Sequence, residues 1–440
     1  MKYRVSSEKA IIFSYFIAVI GVGSILLSLP FAWGGEGRLA YLDALFTATS
    51  AVCVTGLIVV DTSGFSVLGQ SVIMLLIQFG GLGIVTFATI YMATPHRKVS
   101  LVNRGIIKEM YIDEVEKNPR FIVRSILLAT LGFEFIGFLA IRHRFKVLGV
   151  ERFDFSAAFH AVSAFCNAGF STFSDSLNRF AGDWWLNTTF IALIVIGGIG
   201  FVVLQDIGRV FMRRKRRLSY HSRIVLAMTG VLILAGMAAF YVLEYDHAYA
   251  GMSVPRKLLA SLFQSVTPRT AGFDTVPQSL LSLPSIAVVI FLMFTGGSPG
   301  STAGGVKTTT IFMAFASAFS GYEDDGSIVY KGGALSAGSV AKTLSVLAKA
   351  VITVAGSLVL LLAIEGGKSE FSDIFFEVVS AFGTVGLSRG ITAGLEPASK
   401  FVLIATMFVG RVGLFAMAIT RSSERVERFA EFPRENVLLG

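Results

Sequence analysis

The sequence predicts an all-α polytopic membrane protein, and three observations support this fold class. The chain has 440 residues, of which 54% are hydrophobic and only 15% are charged, whereas a soluble chain carries roughly a quarter charged residues. Apolar runs of about 20 residues, long enough to cross a bilayer as a helix, recur along the whole length. Short similar segments also recur between these runs, and such repeats define the organisation of a chain.

Four of these segments end in a single glycine before Leu or Phe. They read LFTATSAVCVTGL, AFHAVSAFCNAGF, LFQSVTPRTAGF and FFEVVSAFGTVGL. Their register glycines are Gly56, Gly169, Gly272 and Gly386, which are 113, 103 and 114 residues apart. A second glycine follows in the next apolar run after 24 or 28 residues, at Gly80, Gly197, Gly296 and Gly410. This near-constant spacing predicts four copies of one structural unit.

Each predicted unit is a span, a short re-entrant pore helix with its loop, and a second span. The repeated segment is too short to cross, because about 10 to 13 helical residues reach only ~15–20 Å into a ~30 Å hydrocarbon core. Two full spans per unit keep the orientation constant, so we expect eight spans in four parallel repeats around a pseudo-fourfold central pore. The predicted boundaries are 1–99, 113–216, 217–325 and 337–421, with a cytoplasmic tail at 422–440.

Basic clusters predict the orientation of the chain. HRK occupies 96–98 and RRKRR occupies 213–217, and short basic loops beside spans mark the cytoplasmic side. We therefore predict a multi-pass protein of the cell membrane with both termini in the cytoplasm. RRKRR is interpreted as a topological anchor, not a nucleic-acid site. RHRFK at 142–146 departs from the rule, since this topology places it outside.

The glycine-containing loops predict a cation pathway lined by backbone carbonyls. Irregular backbone at membrane depth persists only where protein buries it or where it lines a watery cavity. Glycine lets successive carbonyls face one axis, and rings of carbonyls replace the hydration shell of K+. The candidate filter residues are Val54, Thr55, Gly56, Asn167, Ala168, Gly169, Thr270, Ala271, Gly272, Thr384, Val385 and Gly386. The alternative is that these glycines only permit tight helix packing.

The stretch GGSPGSTAGGVKTTT at 296–310 predicts a break within a membrane span. It is similar to a phosphate-binding loop, but Val306 intrudes before Lys307 and no strand precedes it. The apolar run from 283 to 319 is too long for one span, and Pro299 removes a backbone donor. We expect a flexible gate just below the filter. The candidate gate residues are Gly296, Gly297, Ser298, Pro299, Gly300, Ser301, Thr302, Ala303, Gly304 and Gly305.

Arg411, in FVGRVG, is predicted to hold this gate through its carbonyls. An arginine within a span costs roughly 2.5–3.5 kcal/mol on insertion scales, so it usually faces a cavity or a partner. The alternative is that the side chain reaches an interface.

Other polar residues support smaller predictions. Glu134, within a span, is left open between a structural and a functional role. His160 is interpreted as a packing residue of a pore helix, because no second ligand completes a metal set. Cys53 and Cys166 are interpreted as small residues flanking the filter. Carboxylates near the start of three pore helices are expected to cap them; they are Asp43, Asp154 and Asp373, with Lys257 near that place in the third repeat.

These motifs resemble those of the Trk/Ktr/HKT superfamily of potassium transporters, most closely the membrane subunit of bacterial Ktr systems. The resemblance rests on the four loops and on GGLG (80–83), GGIG (197–200), GSPGSTAGGVK (297–307) and FVGRVG (408–413). It implies a K+ pathway with one filter glycine per repeat, an intramembrane gating loop and an arginine associated with it. Gly56 stands where sodium-permeable plant relatives have serine, which favours K+, and Na+ is left open as an activator.

The resemblance also implies partners. It predicts a homodimer, to which the tail EFPRENVLLG contributes, and a ring of cytosolic RCK-type subunits that bind nucleotides. No nucleotide site is expected on this chain, and no enzymatic activity. The alternative function is a sodium-coupled secondary cation transporter, although such carriers often use inverted repeats. An ATP-driven pump is disfavoured because the sequence offers no nucleotide-binding domain.

Overall fold

The computed structural model describes residues 7–93, 119–321, 327–330 and 333–413 of the chain. The basic segment 96–98 and the tail 422–440, with its predicted dimer contact, lie outside the described residues. The helices are, in chain order, α1 (Ser7–Ser28), α2 (Tyr41–Val52), α3 (Val67–Ala93), α4 (Pro119–Val147), α5 (Phe153–Phe165), α6 (Trp184–Ile199), α7 (Phe201–Phe211), α8 (Tyr220–Leu243), α9 (Val254–Val266), α10 (Leu283–Phe294), α11 (Thr308–Phe319), α12 (Ala337–Glu365), α13 (Phe371–Gly383) and α14 (Pro397–Phe408).

Membrane-crossing helices are present, as the composition predicts. Among the described residues, three helices are individually long and apolar enough to cross a bilayer, namely α8, α12 and the part of α4 at Val123–Val147. Helices α6 and α7 together form a fourth candidate, bent by 102° at Gly200. Shorter apolar helices include α10 and α11. The total of eight spans and the repeat boundaries stay predictions.

The four repeated segments form short helices, α2, α5, α9 and α13, of 12 or 13 residues each. Such a helix is about 18–20 Å long, which is less than the thickness of the bilayer core. All four are buried along most of their length, and each is followed by its glycine-containing loop. Beyond each loop comes one short turn of tighter helix, at Thr62–Gly64, Asn178–Phe180, Gln278–Leu280 and Thr392–Gly394.

The predicted capping role of the carboxylates on these helices is wrong. The residues that precede α2, α5 and α13 make no side-chain capping bond, and the three aspartates lie inside the first turn. There they suit the positive ends of the helices, as predicted, and pair with basic side chains. The ion pairs join Asp43 to Lys400, Asp154 to Arg142 and Asp373 to Arg389. The pair with Arg142 also neutralises part of the 142–146 segment that departs from the charge rule.

The second apolar stretch of the third repeat is broken, as its length and glycine content predict. Helix α10 ends at Phe294 and α11 begins at Thr308. The second repeat also contains a break, at Gly200 (φ 93°), which we did not predict. In the fourth repeat, α14 passes into a wider helical turn at Val409–Gly413, which carries Arg411. Three of the four second stretches therefore depart from a regular helix.

A two-stranded hairpin interrupts the otherwise helical chain between α11 and α12. Strand β1 (Ile328–Tyr330) pairs antiparallel with β2 (Gly333–Leu335), with Ile328 opposite Leu335. The prediction of a purely helical protein missed this element. Its β1 sequence, Ile-Val-Tyr, consists of β-branched and aromatic residues that favour strands, but three residues are too few to be recognised.

Candidate functional site

The four register glycines meet in one ring. A Cβ atom built on Gly56 would lie 2.4 Å from the carbonyl oxygen of Ala168, the residue before the next register glycine. The same relation continues around the ring and closes it. The distances are 2.9 Å from Gly169 to Ala271 O, 2.2 Å from Gly272 to Val385 O and 2.2 Å from Gly386 to Thr55 O. No side chain larger than hydrogen fits at these four positions without displacing backbone.

The backbone of the four loops follows one pattern. Each register glycine has a left-handed φ, between 71° and 92°. The residue two places earlier is also left-handed although it is not glycine, at Val54 (56°), Asn167 (60°), Thr270 (71°) and Thr384 (52°). The residue between them is not. Non-glycine residues adopt this region only when the surroundings impose it, so four equivalent cases indicate a shared function for the loops.

The carbonyl oxygens of Thr55, Ala168, Ala271 and Val385 lie next to the neighbouring register glycines, within the ring itself. Carbonyl oxygens are the ligands with which proteins replace the hydration shell of potassium. The residues between the paired positions are fully buried; they are Thr55, Ala168, Ala271 and Val385. The arrangement can coordinate a dehydrated monovalent cation with uncharged oxygen atoms. All twelve candidate filter residues lie in these loops.

A cavity of about 290 Å³ lies on one side of the ring, and all four register glycines line it. We call this cavity the vestibule. Three carboxylates also line it, Asp61, Asp175 and Asp274, each from the segment that follows a register glycine. Negative charge in a concave site raises the local concentration of cations. These carboxylates cannot be recognised from the sequence, because they stand five, six and two places after their glycines and share no common spacing.

The carboxylates of the vestibule differ in their surroundings. Burial raises the pKa of Asp274 to about 7, although Gln278 Nε2 donates to its Oδ1 at 2.7 Å and opposes the shift. Burial acts in the same direction on Asp175, but the ion pair with Arg179 outweighs it and holds the pKa below its usual value. The Arg179 Nη2 to Asp175 Oδ1 distance is 2.6 Å. The charge of Asp274 therefore changes near neutral pH.

The segment between α10 and α11, residues 295–307, forms a buried loop that we call the glycine loop. Its two ends are held together, since Gly296 N donates to Val306 O at 2.8 Å and Thr308 N donates to Gly297 O at 3.1 Å. The loop contains the ten candidate gate residues, of which all but Pro299 and Gly300 are buried. Lys307 Nζ donates back to Ala303 O at 2.7 Å, so a cationic side chain braces its second half.

The glycine loop lies against the ring on the side opposite the vestibule. A Cβ on Gly304 would be 2.1 Å from Thr384 Oγ1, and one on Gly305 would be 3.2 Å from Gly383 O. Thr302 Oγ1 donates to Phe165 O at 3.1 Å, at the end of α5. These partners precede the register glycines in sequence, whereas the vestibule residues follow them. The loop therefore covers the inner face of the ring.

Arg411 joins the glycine loop to the first repeat. The side chain is buried, with 6% of its surface exposed. Its Nη1 donates to Thr302 O, and its Nη2 donates to Gly80 O at 2.9 Å. The structure thus brings Arg411 and Thr302 into direct contact through a carbonyl. A role in gating stays a prediction.

The second set of glycines marks close crossings between helices. On three of these residues a Cβ would lie within 2.0 Å of a carbonyl oxygen at the C-terminal end of a pore helix: Gly80 at 1.9 Å from Val52 O, Gly197 at 1.9 Å from Phe165 O and Gly410 at 2.0 Å from Phe382 O. Gly296 differs, because it faces Gly304 O of its own loop at 2.2 Å. Tight helix packing, the alternative considered for the register glycines, thus describes this second set. The register glycines themselves form the ring.

Glu134 belongs to a small polar network beside the ring. Gln78 Nε2 donates to Glu134 Oε2 at 3.3 Å, and the Cys166 thiol lies 3.8 Å from Oε1. Cys166 immediately follows α5, so the network links α3, α4 and the start of a filter loop. Both cysteines are buried and free. The carboxyl group does not line the vestibule, and its role stays open.

His160 is a packing residue, as predicted. It is fully buried on α5, with Nδ1 2.7 Å from Ser156 O and Nε2 2.9 Å from Ser171 Oγ. Its ring stacks on Phe173 at a centroid distance of 5.0 Å. Lys257, also buried, donates to Tyr245 O at 2.5 Å. Among the described residues, no group of three His, Cys, Asp or Glu side chains could hold a metal ion.

Re-entrant loops that meet in a carbonyl-lined ring, within a bundle of membrane-crossing helices, define a multi-pass membrane transporter. Residues 1–429 match the TrkH family, described as cation transport proteins, and the chain belongs to this family. The family consists of transporters, and the chain is not an enzyme. The prediction of the superfamily is confirmed.

Relatives span almost the whole chain. Ktr system potassium uptake protein B of Vibrio alginolyticus is 34% identical over 98% of this chain and 95% of its own length. The protein of the same name from Bacillus subtilis is 35% identical over 96% and 95%. The potassium/sodium uptake protein NtpJ of Enterococcus hirae is 32% identical over 100% and 98%.

A solved structure shares the fold. The crystal structure of the potassium transporter TrkH from Vibrio parahaemolyticus superposes with a TM-score of 0.75 at 20% identity, covering 95% of this chain and 86% of that one. The predicted fold class thus agrees with the fold of this transporter.

Proposed function

We propose that this chain is the ion-translocating subunit of a potassium uptake system, and that K+ passes through the ring of register glycines. The observation that carries the proposal is the closed ring, to which four equivalent loops contribute backbone carbonyls. The names of the Vibrio and Bacillus relatives, potassium uptake proteins both, support the choice of ion. Selection for K+ comes from carbonyl oxygens replacing its hydration shell.

The glycine loop is the gate in this proposal. It lies across the inner face of the ring, and Arg411 and Thr302 fix it there by hydrogen bonds. A cation leaving the filter meets buried backbone and the positive side chain of Arg411, which oppose its passage. The loop is rich in glycine and small hydroxyl residues, which allow it to adopt another conformation. Conduction requires the loop to move away from the axis.

The proposed topology has eight spans in four parallel repeats with the boundaries given above, in the cell membrane. The vestibule faces the exterior and the glycine loop faces the cytoplasm, where both termini lie. The exposed arginines of RRKRR, on the side away from the vestibule, support this orientation.

The proposed assembly is a homodimer in contact with membrane lipid and regulated by a separate cytosolic ring of RCK-type subunits that bind nucleotides. The printed names of the relatives, which describe them as parts of Ktr systems, support association with further components. Na+ acts as an activator in this proposal. The name of the Enterococcus relative, a potassium/sodium uptake protein, favours sodium-coupled transport as the second candidate function.

Rubidium uptake into potassium-loaded liposomes that contain the purified protein tests the proposal. We expect uptake that external K+ blocks and Na+ does not, and we expect Gly386→Ser to reduce uptake strongly or to remove this discrimination. The reason is the contact of 2.2 Å that a Cβ would make with Thr55 O, which forces the ring to open.

Gly356→Ser is the matched control, because a Cβ at Gly356 meets nothing within 4 Å. It should transport like the wild type. Uptake that Gly386→Ser leaves unchanged in rate and selectivity would show that ions do not cross the ring. Uptake that requires an inward Na+ gradient would favour the sodium-coupled alternative.

A further inference from the structure

Helix α7 presents an apolar surface that no described part of the chain covers. Phe211 is 87% exposed, Met212 is 65% exposed and Ile207 is 36% exposed. Ile207 and Phe211 are four residues apart and therefore lie on the same face of the helix. Val203, four residues before Ile207, lies on this face as well but is buried, and Asp206 is buried beside it. The apolar stripe, Ile207 and Phe211 with the adjoining Met212, is therefore exposed towards the C-terminal end of the helix.

The segment after α7 forms a structured basic corner. Lys215 Nζ donates to the buried carboxylate of Asp206 at 2.5 Å, and Ser219 N donates to the same carboxylate at 2.7 Å. Arg214 N donates back to Arg209 O at 2.8 Å. These bonds fold the chain back towards α8. They leave four exposed arginines beside the apolar stripe, Arg213, Arg214, Arg216 and Arg217.

The position of α7 places this surface at the far side of the membrane from the vestibule. Helix α6 begins next to the turn at Asn178–Phe180, whose first residue lines the vestibule. Its 16 residues cover about 24 Å along its axis. The bend of 102° then directs α7 roughly at right angles to α6. A helix across the direction of the spans, at the end of one of them, lies in the plane of an interface.

We propose that α7 and the basic corner form a binding surface for anionic phospholipid at the membrane interface opposite the vestibule. An amphipathic helix in the interface buries its apolar face among acyl chains, here Ile207, Phe211 and Met212. Arginines at the headgroup level attract anionic lipid, each with about 1 kcal/mol near the surface. A soluble protein partner would pair with the arginines but would leave the apolar stripe exposed to water.

The first residue of the helix that carries this surface is hydrogen-bonded to the glycine loop. Phe201, the first residue of α7, donates its N–H to Gly300 O at 3.1 Å, and Ser298 N donates to Gly198 O at 2.9 Å, across the bend. A Cβ on Gly200 would lie 2.5 Å from Pro299 O. The lipid site is therefore attached directly to the segment that we propose as the gate. The binding itself does not depend on the proposed function.

A spin label on Met212→Cys tests the site in liposomes, because the two native cysteines are buried. We expect the label to be accessible to oxygen and shielded from a water-soluble nickel chelate. A label on Glu36→Cys, an exposed residue at the vestibule end, should show the reverse. The mobility of the label at position 212 should decrease as phosphatidylglycerol replaces phosphatidylcholine. The double variant Arg216→Gln/Arg217→Gln should require more phosphatidylglycerol, roughly fivefold per arginine removed.

Arg38→Gln, a matched loss of one exposed arginine at the vestibule end, should leave the titration unchanged. A label at position 212 that is open to the nickel chelate, or whose mobility is the same in both lipids, would overturn the proposal. The basic corner would then be a surface for a soluble partner. None of these readouts requires ion transport, so their failure is distinct from a failure of the proposed pathway.

Discussion

At the scale of single residues, the register glycines determine the geometry of the ring. They also allow the ring to be predicted from the sequence. Their spacing and the following Leu or Phe predict equivalent loops. A position that excludes every Cβ has to be glycine, and this requirement is visible in the sequence. The three vestibule carboxylates leave no such sign in the sequence. Their side chains reach the vestibule from different offsets after the glycine, so only the folded loops bring them together.

The charge of Asp274 should make cation uptake depend on pH. Its pKa of about 7 lies above that of an ordinary aspartate, so the carboxylate is charged above pH 7 and is neutralised as the pH falls below it. Loss of one negative charge from the vestibule lowers the local cation concentration. We therefore expect rubidium uptake to fall roughly twofold or more between pH 8 and pH 6. A change in the vestibule potential on the order of one kT would produce a fall of this size.

Asp274→Asn should give the lower uptake at every pH and lose this dependence. Asp61→Asn is the matched control, because it removes a vestibule charge whose loss should lower uptake while the pH dependence persists. An unchanged pH profile in Asp274→Asn would assign the titration to another group.

At the scale of elements, the break between α10 and α11 follows from the length and composition of the sequence, whereas the bend at Gly200 does not. The run before RRKRR has about the length of one span plus a short helix, and its glycines at GGIG are also compatible with close packing. Tertiary contacts determine the bend. The glycine loop of the third repeat occupies the space below α5 and bonds to Gly197 and Gly198, so α7 has to turn aside.

The hydroxyl group of Thr302 should contribute to closing the pathway. Thr302→Val keeps the size of the side chain but removes its donation to Phe165 O and Gly197 O, both at 3.1 Å. A hydrogen bond contributes about 0.5–1.5 kcal/mol, so its loss should raise the population of an open loop, and basal rubidium uptake, roughly twofold to tenfold.

Thr130→Val is the matched control, because Thr130 Oγ1 is buried without a hydrogen-bond partner among the described residues. It should leave uptake unchanged. Deletion of residues 300–304 should raise basal uptake further. Lower or unchanged uptake in a folded Thr302→Val protein would contradict the role of the loop as a gate.

At the scale of the whole molecule, the fourfold arrangement closes between the first and last repeats. Internal similarity predicts four units, but it does not specify which contacts join unit four to unit one. The structure supplies them through Gly386 with Thr55 O, Arg411 with Gly80 O, and Lys400 with Asp43. Such contacts join residues more than 300 positions apart, and no local sequence pattern encodes them.

The Asp43–Lys400 ion pair should stabilise this closure. Its Nζ to Oδ1 distance is 2.8 Å, and the two side chains are only 19% and 13% exposed. Asp43→Asn leaves Lys400 without its charged partner in a half-buried position, which should cost about 1–3 kcal/mol of unfolding free energy. Thermal unfolding in detergent measures the effect.

Glu396→Gln is the control, because its ion pair with Lys368 is 44% and 63% exposed. Water and salt screen an exposed pair, so the loss of unfolding free energy should be smaller. Equal destabilisation by the two substitutions would argue that the closure between repeats one and four depends on other contacts.

The central claim is that permeating cations bind at the ring of register glycines. Anomalous diffraction from crystals grown in rubidium, a K+ substitute with a usable absorption edge, measures ion positions directly. We predict an anomalous peak on the axis of the ring, next to the carbonyl oxygens of Thr55, Ala168, Ala271 and Val385, that disappears in Gly386→Ser. Rubidium peaks that avoid the ring and occupy another path through the helices would contradict the claim.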